Sequence, residues 1–131
     1  MDKSFENGCV LVVGGSGGIG SLCAQEFSRS GAKVAITFNK NEQAAIDIAD
    51  EINGDVLIYQ LDNSNPKLVE ETFKKVVNDH GFINTLVNAA GFDIPQKFIS
   101  EIDIDLWKGV IDADINGFFN LIKTGLPYLR E

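Results

Sequence analysis

Residues 14 to 20 read Gly14-Gly15-Ser16-Gly17-Gly18-Ile19-Gly20, with five glycines in seven positions. Between a strand and a helix, such a turn could hold a pyrophosphate. Gly14 permits a tight exit from the strand. Gly18 lets the backbone approach phosphates with no Cβ in the way, and Gly20 lets the helix pack close to the sheet. The helix N-terminus adds free N–H groups and a partial positive charge. An anionic ligand is then held by backbone dipoles, which matters in a chain with 11 basic residues, 19 acidic ones and a net charge of −8. The rival reading is a tight turn that binds nothing. Other reactive side chains are scattered. His80 is the only histidine and falls at a helix end, where a cation suits the dipole, and Cys9 and Cys23 read as core thiols. No grouping of His, Cys and acids suggests a metal site, so none is expected.

The elements around the turn alternate. Cys9–Val13 is an uninterrupted apolar run, the pattern of a strand covered on both faces of a parallel sheet. A helix follows with Ile19, Leu22, Cys23 and Phe27 on one apolar face, ending at Ser30-Gly31. Residues 34–38 are a second strand. Asn39 and Asn41 are both candidate N-caps, and Asn39 with Glu42 fits a capping box. A helix through Ala44, Ala45, Ile48 and Ile52 stops near Asn53-Gly54. Residues 56–61 are a third strand. Asn65-Pro66 starts a helix that ends at His80-Gly81, and residues 85–88 form a short fourth strand. A mixed loop over 92–105 leads into a long helix from about Leu106 to about Leu129. This order implies right-handed crossovers and a parallel sheet, α/β in class.

Length and composition bound the rest. With 131 residues, 44% of them hydrophobic and 23% charged, the chain reads as one globular domain over 1–131. The acidic balance argues against nucleic-acid and membrane partners. Two cysteines do not make a disulfide scaffold, and no signal peptide or membrane-spanning run is visible. A cytoplasmic protein is the expectation.

The glycine spacing is G-x-x-x-G-x-G. Together with Asn88-Ala89-Ala90-Gly91 it resembles the short-chain dehydrogenase/reductase family, over the chain from about Asn7 to the end. Leu86 to Gly91 looks like that family's L-V-N-N-A-G signature, with Ala89 in the second Asn position. Asp62-Asn63 resembles the pair that contacts adenine, and Trp107 to Leu129 the fourth-to-fifth helix region. Within the family the chain looks most like reductases of 3-oxoacyl thioesters. The resemblance implies a Rossmann-like sheet in the strand order 3-2-1-4 that binds a dinucleotide through Gly14, Ser16, Gly17, Gly18, Ile19 and Gly20, with Asp62, Asn63, Asn88, Ala89, Ala90 and Gly91. Two alternatives stay open: Asp62 could simply cap the next turn, and Asn88 could bond neighbouring backbone, which is also part of its family role.

By the same alignment, Phe38 stands where an NAD-selective site has an acid for the ribose 2′-OH. Asn39 and Lys40 follow, and the first acid is Glu42. Nothing there repels a 2′-phosphate and Lys40 could attract one, so NADP(H) is favoured over NAD(H). Gly17 points the other way, because NADP-using relatives often carry a basic residue there. Lys40 could also be a solvated loop charge.

The family's catalysis uses a Ser and a Tyr-x-x-x-Lys set, with the tyrosine as general acid toward the substrate carbonyl. Only Tyr59 and Tyr128 are present; Tyr59 is followed at i+4 by Asn63, and Tyr128 by three residues. The chain therefore reads as the N-terminal half of an oxidoreductase that acts on a small-molecule carbonyl or alcohol, truncated after about four strands. Alone it should bind cofactor poorly and catalyse nothing. The alternative is a complete, non-catalytic nucleotide-binding or dimerisation module. Asp114 lines up with the family's active-site Asn; it could also be a surface helix acid. Asn116 cannot replace it, since two residues turn a helix by roughly 200°. On the last helix, Ile111, Ile115, Phe118, Ile122, Leu126 and Leu129 form one stripe, and Trp107, Val110, Leu121 and Tyr128 a second. The resemblance implies a homo-oligomer built on this 106–129 helix; otherwise both stripes serve the core. Without a neighbour, the fourth strand is an open sheet edge.

Overall fold

Cys9–Val13 forms strand β1, and all five of its residues are buried. Strands β2 (Val34–Phe38), β3 (Leu57–Gln60) and β4 (Ile83–Asn88) join it in one parallel sheet ordered β3-β2-β1-β4. The computed structural model describes residues 5, 7–52 and 55–129. Helices α1 (Gly18–Arg29) and α2 (Glu42–Glu51) pack on one face of the sheet, against Val10, Val12 and Ile36. Helix α3 (Pro66–His80) and the C-terminal helix pack on the other, against Leu11, Val13 and Ala35. Alternate residues of β1 thus serve two cores, which is why the strand tolerates no polar position.

Local signals set most boundaries. Asn65 caps α3, its side chain accepting from the N–H of Lys67 and Leu68 at 3.1 and 3.3 Å, with Pro66 at the first helical position. Asn41, not Asn39, caps α2, accepting from Ala44 N–H at 3.0 Å. Helix α2 ends at Glu51; Asn53 and Gly54, the expected stop, lie outside the described residues. β4 begins two residues earlier than expected because Cys9 pairs with Ile83. Val56 and Leu61 fall outside β3, although Leu61 N–H still donates to Phe38 O at 2.8 Å.

Two helices differ from expectation, one in its buried face and one in its regularity. On α1, Ile19 and Leu22 are 76% and 62% exposed, while Gly20 and Ala24 are buried. The small residues bring the helix too close to the sheet for larger side chains on that face. The C-terminal helix begins at Ile104 and is not uniform. It runs as α4 (Ile104–Val110), a π-helical segment (Ile111–Asn116), α5 (Gly117–Gly125) and a 3₁₀ turn (Leu126–Tyr128). Its core face is Gly117, Leu121 and Gly125, with Tyr128 stacked on Phe73 at 5.7 Å between ring centroids. A Cβ on Gly125 would lie 2.9 Å from the Phe73 ring, so α5 approaches α3 closely because that position is glycine. Ile115, Phe118, Ile122 and Leu126, expected to pack inward as one stripe or to pair with a partner, are exposed in the monomer. Among the described residues, no helix is long and apolar enough to cross a membrane.

Candidate functional site

All four strands release their loops at one end of the sheet, and the order reverses between β1 and β4. That switch point is where open α/β sheets form a crevice. Here it holds a cavity of about 660 Å³, in the range of small-molecule sites. Its wall takes Gly14, Ser16 and Gly17 from the glycine turn, Asn39 and Lys40 from the β2–α2 loop, Asp62 and Asn63 from the β3 exit, and Ala89, Ala90 and Gly91 from the β4 exit. Ten of the residues singled out in the sequence therefore converge on one space. Gly18 and Ile19 are exposed beside it at the start of α1, Gly20 is buried below, and Asn88 lies exposed at the end of β4. Phe38 is the outlier: it is 7% exposed and packed in the α1/α2 core, outside the cavity wall.

Backbone geometry builds the turn. Gly14 has φ +78°, and a Cβ there would sit 2.6 Å from the backbone nitrogen of Ala90. Its N–H donates to Thr37 Oγ1 at 3.1 Å, and its carbonyl accepts from Gly17 N–H at 3.1 Å. A Cβ on Gly20 would collide with that same Gly14 carbonyl, whereas a Cβ on Gly18 would meet nothing within 4 Å. Gly14 and Gly20 are thus glycines for the fold's own sake, and Gly18 is not. Helix α1 has no side-chain cap and no acid in its first turn, so its leading N–H groups are open to an anion.

The other loops are tied into the same wall. Asp62 Oδ1 accepts from Ser64 N–H at 3.0 Å and Ser64 Oγ at 2.6 Å, so Asp62 does cap the turn while facing the cavity. Asn88 Oδ1 accepts from Ala90 N–H at 3.3 Å, shaping the turn over Gly14. Asn63, 8% exposed, donates from Nδ2 to Ala113 O at 3.4 Å, and its own carbonyl accepts from Asn120 Nδ2 at 2.9 Å. Asp114 is on the π-helical segment but off the cavity wall; Oδ1 accepts from Phe92 N–H at 2.9 Å. Asn116 faces elsewhere and donates to Asp112 Oδ1 at 2.8 Å. Lys40 is exposed and makes no hydrogen bond or ion pair among the described residues. Pattern reading missed Phe92, Asp93 and Ala113 in the wall, and Thr37, which is buried and bonded to Gly14. A hydroxyl inside an otherwise apolar strand was its only signal.

The titratable groups with shifted values lie away from the cavity. Burial pushes the Cys9 thiol up to about 12 and holds His80 below the usual histidine value. Burial and the hydrogen bond to Asp79 raise Tyr59 above the usual phenol range. Among the described residues, no group of three or more His, Cys, Asp or Glu could hold a metal ion.

Comparison with known proteins identifies the class. Residues 8–131 match the family model for short chain dehydrogenases, and the chain belongs to that family. It is 30% identical over 121 residues to an uncharacterized oxidoreductase of Staphylococcus epidermidis, covering 92% of this chain and 52% of that one. It is 27% identical to sulfoacetaldehyde reductase 2 of Chromohalobacter salexigens, covering 93% of this chain and 49% of that one. It is 29% identical to L-fucose dehydrogenase of Mus musculus, covering 93% and 44%. Among solved structures, a dehydrogenase/reductase from Sinorhizobium meliloti superposes with a TM-score of 0.87 at 25% identity, covering 98% of this chain and 52% of that one. The chain thus spans about half the length of the curated relatives it matches. Membership of the family implies a nicotinamide dinucleotide as the cofactor.

Proposed function

We propose that this chain is the dinucleotide-holding half of an oxidoreductase that interconverts a carbonyl and an alcohol, and that it takes NADP(H) in preference to NAD(H). The observation that carries the reading is Gly18: it is exposed at an uncapped helix start, beside a cavity that four loops close around. Gly14 and Gly20 are accounted for by packing, and a ligand's close approach accounts for Gly18. The pyrophosphate would lie on the first turn of α1, and the ribose and adenine toward Asn39, Lys40, Asp62 and Asn63. When bound, the cofactor supplies hydride transfer. The chain's own residues bind and orient it. Relatives named as a sulfoacetaldehyde reductase and a fucose dehydrogenase support the carbonyl–alcohol class. A 3-oxoacyl thioester belongs in the same substrate panel because of the signature residues.

Lys40 supports the choice of NADP(H): it stands in the wall with no partner among the described residues, and the position before Asn39 offers the core residue Phe38 in place of an acid. Titration with NADPH and NADH tests this. Lys40→Ala should weaken NADPH binding about fivefold more than NADH binding, the scale of one exposed charge-assisted contact. Equal losses for both nucleotides would remove Lys40 from the account. A non-catalytic nucleotide-binding module remains the second reading. What favours it is Asp114, a carboxylate committed to Phe92 N–H where the family has an amide. An ionised carboxylate cannot donate a hydrogen bond. The exposed stripe of Ile115, Phe118, Ile122 and Leu126 supports self-association along the C-terminal helix. The net charge of −8 supports a protein with neither nucleic-acid nor membrane partners, and a cytoplasmic location is part of the proposal.

A further inference from the structure

We propose that Gln60 is a positioning residue for nucleotide selectivity, acting by fixing the peptide that carries Lys40. The inference rests on the NADP(H) reading above. Gln60 is the last residue of β3 and stands in register with Phe38, the last residue of β2. Its side-chain Nε2 donates to the carbonyl of Asn39 at 3.2 Å. That carbonyl and the N–H of Lys40 belong to one planar peptide unit, so a bond to the oxygen sets the orientation of the whole unit. Gln60 is itself anchored, its carbonyl accepting from Thr72 Oγ1 at 3.5 Å, and Thr72 is 4% exposed.

The residue after Lys40 is also held, since the Asn41 side chain caps α2, accepting from Ala44 N–H. The Lys40 side chain has no partner among the described residues, so the neighbours held on either side of it decide where its ammonium can reach. Gln60 is not in the wall of the large cavity. It lines an adjoining hollow of about 360 Å³ that shares Asn39 and Asp62 with the cavity, and its recorded contact with the site runs through the Asn39 carbonyl. The pattern of apolar runs gives no hint of this role, because the bond crosses from one strand exit to the next.

The test uses the full chain with Gln60→Met, which keeps the side chain's length and removes its donor, with Lys40→Ala, and with both together. Each is titrated with NADPH and NADH, and its thermal unfolding is recorded. Gln60→Met should cut the preference for NADPH about threefold, on the scale of one net hydrogen bond, with NADH affinity and Tm little changed. On the Lys40→Ala background it should have no further effect on the ratio, because both changes act through the same group. Equal weakening of both nucleotides would overturn the proposal, as would an additive effect in the double variant. If Lys40→Ala collapses the ratio and Gln60→Met leaves it intact, the positioning role fails and the Lys40 reading stands. If the unaltered chain shows no preference for NADPH, both fail.

Discussion

Replacing Gly18 with alanine separates what the fold needs from what the ligand needs. A Cβ at this position meets no atom within 4 Å, and the residue opens α1 in helical conformation. Alanine in a helix is favoured over glycine by about 0.5–1 kcal/mol, with the smaller figure suited to a first-turn position. The ligand-free variant should therefore be as stable as the parent, or gain up to roughly 2–5 °C in Tm for a chain of this size. Binding should move the other way. A methyl group under the pyrophosphate holds it off the leading N–H groups of α1. Losing one charge-assisted hydrogen bond costs about 1.5–3 kcal/mol, or roughly ten- to hundredfold in Kd. Thermal unfolding with and without NADPH reads both quantities from one sample. A variant that is destabilised without ligand, or one that binds NADPH as the parent does, would refute the assignment of Gly18 to the phosphates.

Three other perturbations test neighbouring parts of the account. Gly20→Ala forces its Cβ against the Gly14 carbonyl, a backbone group that cannot move aside; overpacking of this kind costs about 1–3 kcal/mol, so urea unfolding should show lower stability as well as weaker NADPH binding. Burial lowers the folded-state pKa of His80 below 6.5, and its Nε2 is buried with no partner among the described residues. Its contribution is therefore complete above pH 6.5 and lost as pH falls below it; the drop in stability between pH 7.5 and 5.5, taken from urea midpoints, should shrink in His80→Gln. Phe118 is 49% exposed on the outer stripe; sedimentation should show Phe118→Asp shifting an associated chain toward monomer with its Tm little changed.

Most strands and helix starts were legible because local residues dictate them, and the 3-2-1-4 order followed from the family resemblance. Cys9–Val13 admits no reading but a strand covered on both faces. Asn65-Pro66 supplies both a cap and a pre-set φ for α3. Helix faces were less legible where glycine does the packing. Gly20 and Ala24 on α1, and Gly117 and Gly125 on α5, bury their backbones against a neighbour, and a count of apolar side chains does not register that. The facing of Ile19 and Leu22 was misjudged for this reason. In the site, the glycine turn and the β3 and β4 exits were readable as motifs. The ties between them were not. Asn120 to Asn63 spans 57 residues and Asn63 to Ala113 spans 50, and no local pattern encodes such a pair. The Asx turn at Asp62 spans only two residues and was foreseen as an alternative.

The central claim is that the glycine-turn cavity takes a nicotinamide dinucleotide, and mapping backbone amide shifts while NADP⁺ is added tests it most directly. At 14.3 kDa the chain suits the method, which also reports the weak affinity expected of half a site. Shifts should concentrate on Gly17–Gly20, Lys40, Asp62–Asn63 and Ala89–Gly91, and spare the outer face of α3. Saturating NADP⁺ that leaves those amides in place, or moves a different surface, would contradict the account.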